Sequence, residues 1–202
     1  FYERAEIKDC IAYLRLVHQN KDDLAFERIV NNPKRSIGDS SIKLIHEYSK
    51  KNRLNLETAS KKMLEENLIK PKTKVGLSYF LNSLNKWRDD LKVKKNNHVK
   101  LLQIVLDESG YSSMLKNKKD IENENRLENI KELLGAMKEF DNLESFLEHV
   151  SLSTSIDRAI VKKPKTYSGN YYQFSLLLIR IWKHRLLSLN GYWSPRVYLT
   201  PR

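Results

Sequence analysis

Cysteine occurs once in the 202-residue chain, at Cys10. One thiol excludes a disulfide framework and a cysteine-built zinc site. Glycine occurs six times, widely spaced, with no G-x-x-x-x-G-K-[ST] or G-x-G-x-x-G run. Without such a run the chain has no cradle of backbone N–H groups for a nucleotide phosphate, and we expect no ATP hydrolysis by this chain alone. No apolar run approaches the roughly 18 residues that span a bilayer. The longest candidate, Phe174 to Trp182, is too short and holds Arg180. The start lacks the basic-then-apolar pattern of a secretory leader. It also falls at Phe1, inside what reads as structured sequence, so we expect a fragment or a processed product. His18, His46, His98, His149 and His184 are scattered with no i, i+4 pair, which fits surface or packing roles better than metal ligation. Cys10 has no catalytic histidine partner in the pattern and reads as filler of a helix face.

What is present is charge and helical periodicity. The chain is 40% hydrophobic and 31% charged, enough to bury a core. Lys and Arg number 37 against 25 Asp and Glu, a net +12, and the sequence pI is about 9.6. That excess points to a polyanion, either nucleic acid or an acidic membrane face. Its distribution is uneven. Residues 158–202 hold nine basic and no acidic residues, with five of the ten Tyr and two of the three Trp, whereas residues 1–157 carry 28 basic and 25 acidic.

Apolar residues recur at helical steps through the first three-quarters. Ile7, Ile11, Leu14 and Val17 line a first helix. Leu24, Ala25, Ile29 and Val30 line a second, opened by Asp22 and Asp23 at its positive end. Asn31-Asn32-Pro33 breaks it. Asp39 or Ser40 is expected to cap a third helix carrying Ile42 and Ile45. Leu56, Ala59, Met63 and Leu64 mark a fourth. A fifth starts at Pro71 and carries Val75, Tyr79, Phe80, Leu84, Trp87 and Leu91. The aromatics Tyr79, Phe80 and Trp87 read as core in preference to a base-stacking platform. Val99 to Leu106 forms another helix, ended by Ser109-Gly110. Ile121 to Phe140 is helical, and Asp141 with Glu144 has capping-box spacing before Leu143, Phe146, Leu147 and Val150. Glu122, Glu124 and Glu128 read as a solvated face. No β alternation precedes Asp157. The fold class is therefore all-α, about eight helices, with an irregular basic C-terminal tail.

The stretch from Asn31 to Ser41 carries the sharpest functional signal. Ile37, then Gly38, then a helix start makes a tight turn between two helices. Glycine permits close backbone approach, and a helix N-terminus offers N–H groups to a phosphate. Lys34 and Arg35 add charge beside it. This is the logic of a helix-hairpin-helix: it grips the phosphodiester without reading bases. An ordinary inter-helix turn with solvated basic residues accounts for the spacing equally well.

Longer matches give a resemblance. Phe1-Tyr2-Glu3-Arg4-Ala5-Glu6-Ile7-Lys8-Asp9 and Tyr13-Leu14-Arg15-Leu16 resemble the UvrD/PcrA/Rep superfamily 1 DNA helicases. So do Asp22-Asp23, Phe26 to Asn31, Pro33 to Gly38, Leu106 to Tyr111 and Arg126 to Leu133, in order, over Phe1 to about Asp157. The resemblance implies that residues 1–20 end a segment of motor domain 2A. Residues 21–157 would then form the inserted helical 2B subdomain, with 158–202 a basic aromatic tail outside the resemblance. It also implies that Pro33, Lys34, Arg35, Ser36, Ile37, Gly38, Ser40 and Ser41, with Lys43 on the next helix turn, meet duplex DNA ahead of the fork. The family has Gly where this chain has Ser36. After Asp157 the family's threonine-histidine motif, its lysine-glycine-leucine-glutamate segment and its arginine finger do not appear. The implied function is that of a piece of a 3′-to-5′ ATP-dependent helicase, supplying non-sequence-specific duplex contact and regulating unwinding. ATP and Mg belong to the complete enzyme, and no cofactor is expected in this chain. The implied partners are duplex DNA, the remaining motor domains and DNA-repair proteins, with no membrane, in a bacterial cytoplasm at the nucleoid. The alternative is a helical module that docks on repair proteins and binds DNA negligibly. The tail reads as a nucleic-acid-binding arm, an appended cloning sequence, or, favoured by its abrupt onset, an out-of-frame translation.

Overall fold

A computed structural model describes residues 1–93, 97–117 and 121–161, with side chains up to 154. The described residues form helices and turns with no strand among them, as the periodicity predicts. The tail from 162 onward lies outside the described residues, and so do the three readings of it. Phe1–Ala159 forms one compact unit, and the second unit begins at Ile160.

The first helix is the hub. Helix α1 (Ala5–His18) buries ten of its fourteen residues, among them Ile7, Cys10, Tyr13, Leu14 and Leu16. Such a helix is apolar on nearly every side because it has neighbours on nearly every side. It packs against α2 (Asp23–Ile29), α5 (Pro71–Val93), α6 (His98–Glu108) and α8 (Ile121–Met137). Its buried Asp9 is satisfied three times. Oδ1 accepts from Arg28 Nε at 2.6 Å, and Oδ2 accepts from Asn32 Nδ2 at 2.9 Å and Tyr111 Oη at 2.7 Å. Burial, then the hydrogen bond to this carboxylate, drives the Tyr111 phenol far up.

Asp22 caps α2 by accepting from Ala25 N at 3.0 Å. Helix α3 (Asp39–Asn52) starts one residue earlier than a side-chain cap at Asp39 would require, and two earlier than one at Ser40. Gly38 is its N-cap and supplies no side chain. Asn55 caps α4 (Leu56–Glu65). Gly110, at φ 81°, reverses the chain between α6 and the short α7 (Tyr111–Lys116), which periodicity did not resolve. Before α9 (Leu143–Val161) the cap is Asn142, whose Oδ1 accepts from Ser145 N at 2.9 Å. The capping box read at Asp141 is therefore displaced by one residue, because an Asn side chain there reaches the same donor class.

Helix α5 departs most from its sequence reading. Phe80, Leu84 and Trp87 are core, but Val75 is 73% and Tyr79 54% exposed. The inward stripe instead runs through Thr73, Leu77, Phe80, Leu81, Leu84 and Trp87. A 23-residue helix carries enough apolar residues to draw two stripes at helical spacing, and packing selects one. Tyr79 keeps its ring outside and donates its hydroxyl to Glu108 O at 2.9 Å.

Candidate nucleic-acid interface

The segment between α2 and α3, residues 30–38, is organised by side chains from within and from three other elements. Asn31 Oδ1 accepts from the N–H of Arg35 at 2.7 Å and of Ile37 at 3.2 Å, replacing the helix bonds that end at Ile29. Tyr13 Oη donates to Asn32 O at 2.7 Å. The Asn32–Pro33 peptide is cis. Ser36 has φ 61°, the left-handed region that favours glycine. Position 36, where the resemblance leads one to expect Gly, is thus one that uses glycine's freedom, and this chain fills it with serine.

Helix α5 then receives the loop. Thr73 Oγ1 donates to Ser36 O at 3.0 Å, and so must accept from Ser41 Oγ, 3.3 Å away. One turn on, Gly76 leaves room for the loop's backbone. A Cβ there would lie 2.0 Å from Arg35 O. Another turn on, the Phe80 ring lies 4.9 Å beneath the Arg35 guanidinium carbon. Thr73, Gly76 and Phe80 occupy one face of α5 at steps of three and four.

The loop residues divide into two sets. Ile37 is fully buried and Ser41 is 5% exposed. The Arg35 guanidinium is turned inward. Nη1 donates to Ile29 O at 2.9 Å, Pro33 O at 3.1 Å and Val30 O at 3.2 Å, and Nη2 donates to Tyr13 Oη at 2.8 Å and Ser109 O at 3.3 Å. Burial raises the Tyr13 phenol, against the opposing pull of this cation. By contrast Lys34, Ser36, Gly38, Ser40 and Lys43 are exposed, and Pro33 is half-buried. Neither Lys34 nor Lys43 has an ion-pair partner among the described residues. Nothing lies within 4 Å of where a Gly38 Cβ would stand. The first turn of α3 has no side-chain cap bond, and its Asp39 is acidic and exposed.

Sequence reasoning grouped nine residues as one contact set. The structure brings Lys34, Ser36, Gly38, Ser40 and Lys43 to the outside, leaves Pro33 half-buried with its carbonyl on Arg35, and uses Arg35, Ile37 and Ser41 to hold the loop. It also adds Asn31, Tyr13, Thr73, Gly76, Phe80 and Ser109, which that grouping missed. The Asn31 spacing to Arg35 and Ile37 was the one local signal available for them. Elsewhere, buried His98 contacts Met137 O through Nε2 at 2.8 Å, a packing role. No described helix is long and apolar enough to cross a membrane.

Comparison with known proteins extends the resemblance past Asp157 into the segment that the sequence reading left outside it. The UvrD-like helicase C-terminal domain family model matches residues 1–166, nine residues past Asp157. The DNA helicase II of Rickettsia typhi is 39% identical over 152 residues, 75% of this chain and 23% of its own length. A probable DNA helicase II homolog of Rickettsia felis is 38% identical over the same span. The ATP-dependent DNA helicase PcrA of Staphylococcus epidermidis is 33% identical over 193 residues, covering 89% of this chain and 26% of itself. The chain spans about a quarter of the length of these curated relatives.

Proposed function

We propose, from the premise that the chain belongs to the UvrD-like helicase C-terminal domain family, that its helical body holds duplex DNA without reading sequence. The contact surface is the outer set of the 33–43 segment: Lys34, Ser36, Gly38, Ser40 and Lys43. The observation that carries this reading is the pairing of an uncapped, unobstructed start of α3 with two unpartnered lysines beside it. First-turn N–H groups at Asp39 and Ser40 have no intrahelical acceptor and can bind a phosphate oxygen. The exposed Asp39 carboxylate opposes an anion there, so the lysines must supply the balance. In this reading residues 1–20 close a motor-domain segment and 21–157 form the 2B insert. The motor domains, with ATP and Mg, belong to the complete enzyme, and the insert regulates unwinding by holding the duplex, in a bacterial cytoplasm at the nucleoid.

The test is duplex affinity against salt for the whole chain and for Lys34→Ala. The basic tail is common to both, so the difference reports the loop. Each lost phosphate contact makes the log–log slope shallower by about one. A Lys34→Ala slope equal to that of the unaltered chain sinks the loop contact and favours docking on a repair protein.

A further inference from the structure

We infer that Arg35, the most basic-looking residue of the DNA-contact loop, positions that loop and does not itself meet phosphate. The inference rests on the duplex-binding reading for its functional consequence, but its geometry stands alone. The guanidinium is the meeting point of four helices. Ile29 O and Val30 O are carbonyls at the C-terminal end of α2, and Ser109 O belongs to the residue that ends α6. Both helix ends have carbonyls without intrahelical donors and carry the negative end of the helix dipole. A cation placed between them satisfies both. Tyr13 of α1 supplies a fourth acceptor, the loop's own Pro33 O a fifth, and Phe80 of α5 closes one face of the plane. A guanidinium has five N–H donors in a flat fork, so it can address acceptors on several sides at once while stacking. Reaching out to a phosphate would strand carbonyls inside the protein, which costs more than an exposed phosphate contact returns.

The backbone of the same residue is fixed independently. Asn31 Oδ1 takes its N–H, and its carbonyl lies in the space left by Gly76. Arg35 is therefore held at N–H, C=O and guanidinium, and Lys34 and Ser36 on either side are presented outward by that fixation.

The experiment compares Arg35→Lys, Arg35→Ala, Lys34→Ala, the Lys34→Ala/Arg35→Ala pair and Gly76→Ala in the whole chain. Duplex affinity is read against salt, and amide exchange at Arg35 and Ile37 is read without DNA. Lysine keeps the charge but is a point donor that cannot span the five acceptors. A positioning residue predicts that Arg35→Lys binds duplex as poorly as Arg35→Ala. It predicts that Lys34→Ala costs nothing further once Arg35 is gone, and that the uncharged change Gly76→Ala reproduces the loss. It also predicts that protection of the two amides falls about tenfold or more in Arg35→Lys. Arg35→Lys binding like the unaltered chain, with additive alanine losses, would overturn the inference in favour of direct contact. If no form binds duplex, the functional reading fails. The exchange arm then still decides the geometry: retained protection in Arg35→Lys refutes the positioning role, and lost protection supports it.

Discussion

Residues 33–74 and the rest of the chain up to Asp157 share one apolar core and carry opposite charge. The first segment has eleven Lys or Arg against five Asp or Glu, a net +6, and the remainder has 17 against 20, a net −3. Helix α1 buries ten residues, yet α3, of the same length, buries only Ser41 and Ile45. The acidic remainder is held by apolar burial around α1. The basic segment enters the same core through Ile37, Ile45, Leu56, Ala59, Met63 and Ile69, and adds polar or close-fitting joints to the remainder: Arg35 on Tyr13, Arg35 against Gly76, and Glu57 on Arg88. Helix α3 lies at the edge of that core, so most of its surface, with its lysines, stays open.

The largest effect should come from the joint between the two regions. Glu57 of α4 is 2% exposed and takes Arg88 of α5 at 2.7 and 2.6 Å, with Lys61 at 2.7 Å. Arg88 also donates to Leu16 O at the end of α1, at 2.7 Å. Removing one partner of a buried pair leaves the other charge stranded, so Glu57→Ala should cost about 3–5 kcal/mol in denaturant unfolding. Burial pushes this carboxyl up, but the hydrogen bonds from Arg88 and Lys61 outweigh it and hold the group below its ordinary value. A carboxyl whose folded pKa is depressed stabilises the protein above its unfolded pKa. That stability drains as pH falls through the carboxylate range towards the lower folded pKa. Glu57→Gln should flatten that part of the stability profile, and an unchanged profile would show that other carboxylates carry it.

A smaller effect of opposite sign is expected on the loop. Ser36 sits at φ 61°, a conformation that costs a non-glycine residue roughly 1–2 kcal/mol. Ser36→Gly should recover about 1 kcal/mol, less the entropy glycine adds to the unfolded chain. A loss of stability would mean that the serine hydroxyl anchors the loop. The smallest change is expected at Ser60 of α4, whose buried hydroxyl has no hydrogen-bond partner in the described structure. Ser60→Ala should be neutral or stabilising by up to about 1 kcal/mol. Clear destabilisation would show that a water serves that oxygen.

The helices were legible because their signals are local. The spacing in α1, the Asp22 cap, Pro71 at the start of α5 and Gly110 after α6 each act within one turn of chain. The caps at Gly38 and Asn142 lie a residue or two from the positions read in sequence, within one turn. The errors over which side chains face inward share another cause: the deciding partner is remote in sequence. Val75 and Phe80 are equally apolar, and only the neighbours of α5 choose between their stripes. Arg35 beside Lys34 reads as a second cation. Three of its acceptors are near in sequence, but Tyr13 lies 22 residues before it and Ser109 74 residues after. Gly76 looks like a helix weakness until the Arg35 carbonyl is seen against it. The loop's position in the chain, its turn and its lysines could be read from sequence; which of its residues face outward could not.

The reach of Arg35 also sets an order of events. Its Ser109 acceptor, the Thr73 hydroxyl and the Gly76 gap all come from later sequence. In synthesis from the N-terminus the loop's residues emerge early but lack their supports until α5 and then α6 have followed. Helices α1 and α2 can pair through nearby contacts, whereas the loop waits on closures of 37 and 74 residues. The proposed DNA-contact surface is thus made of early residues and completed late, and a nascent chain halted before Ser109 would carry the lysines without the shape that aims them.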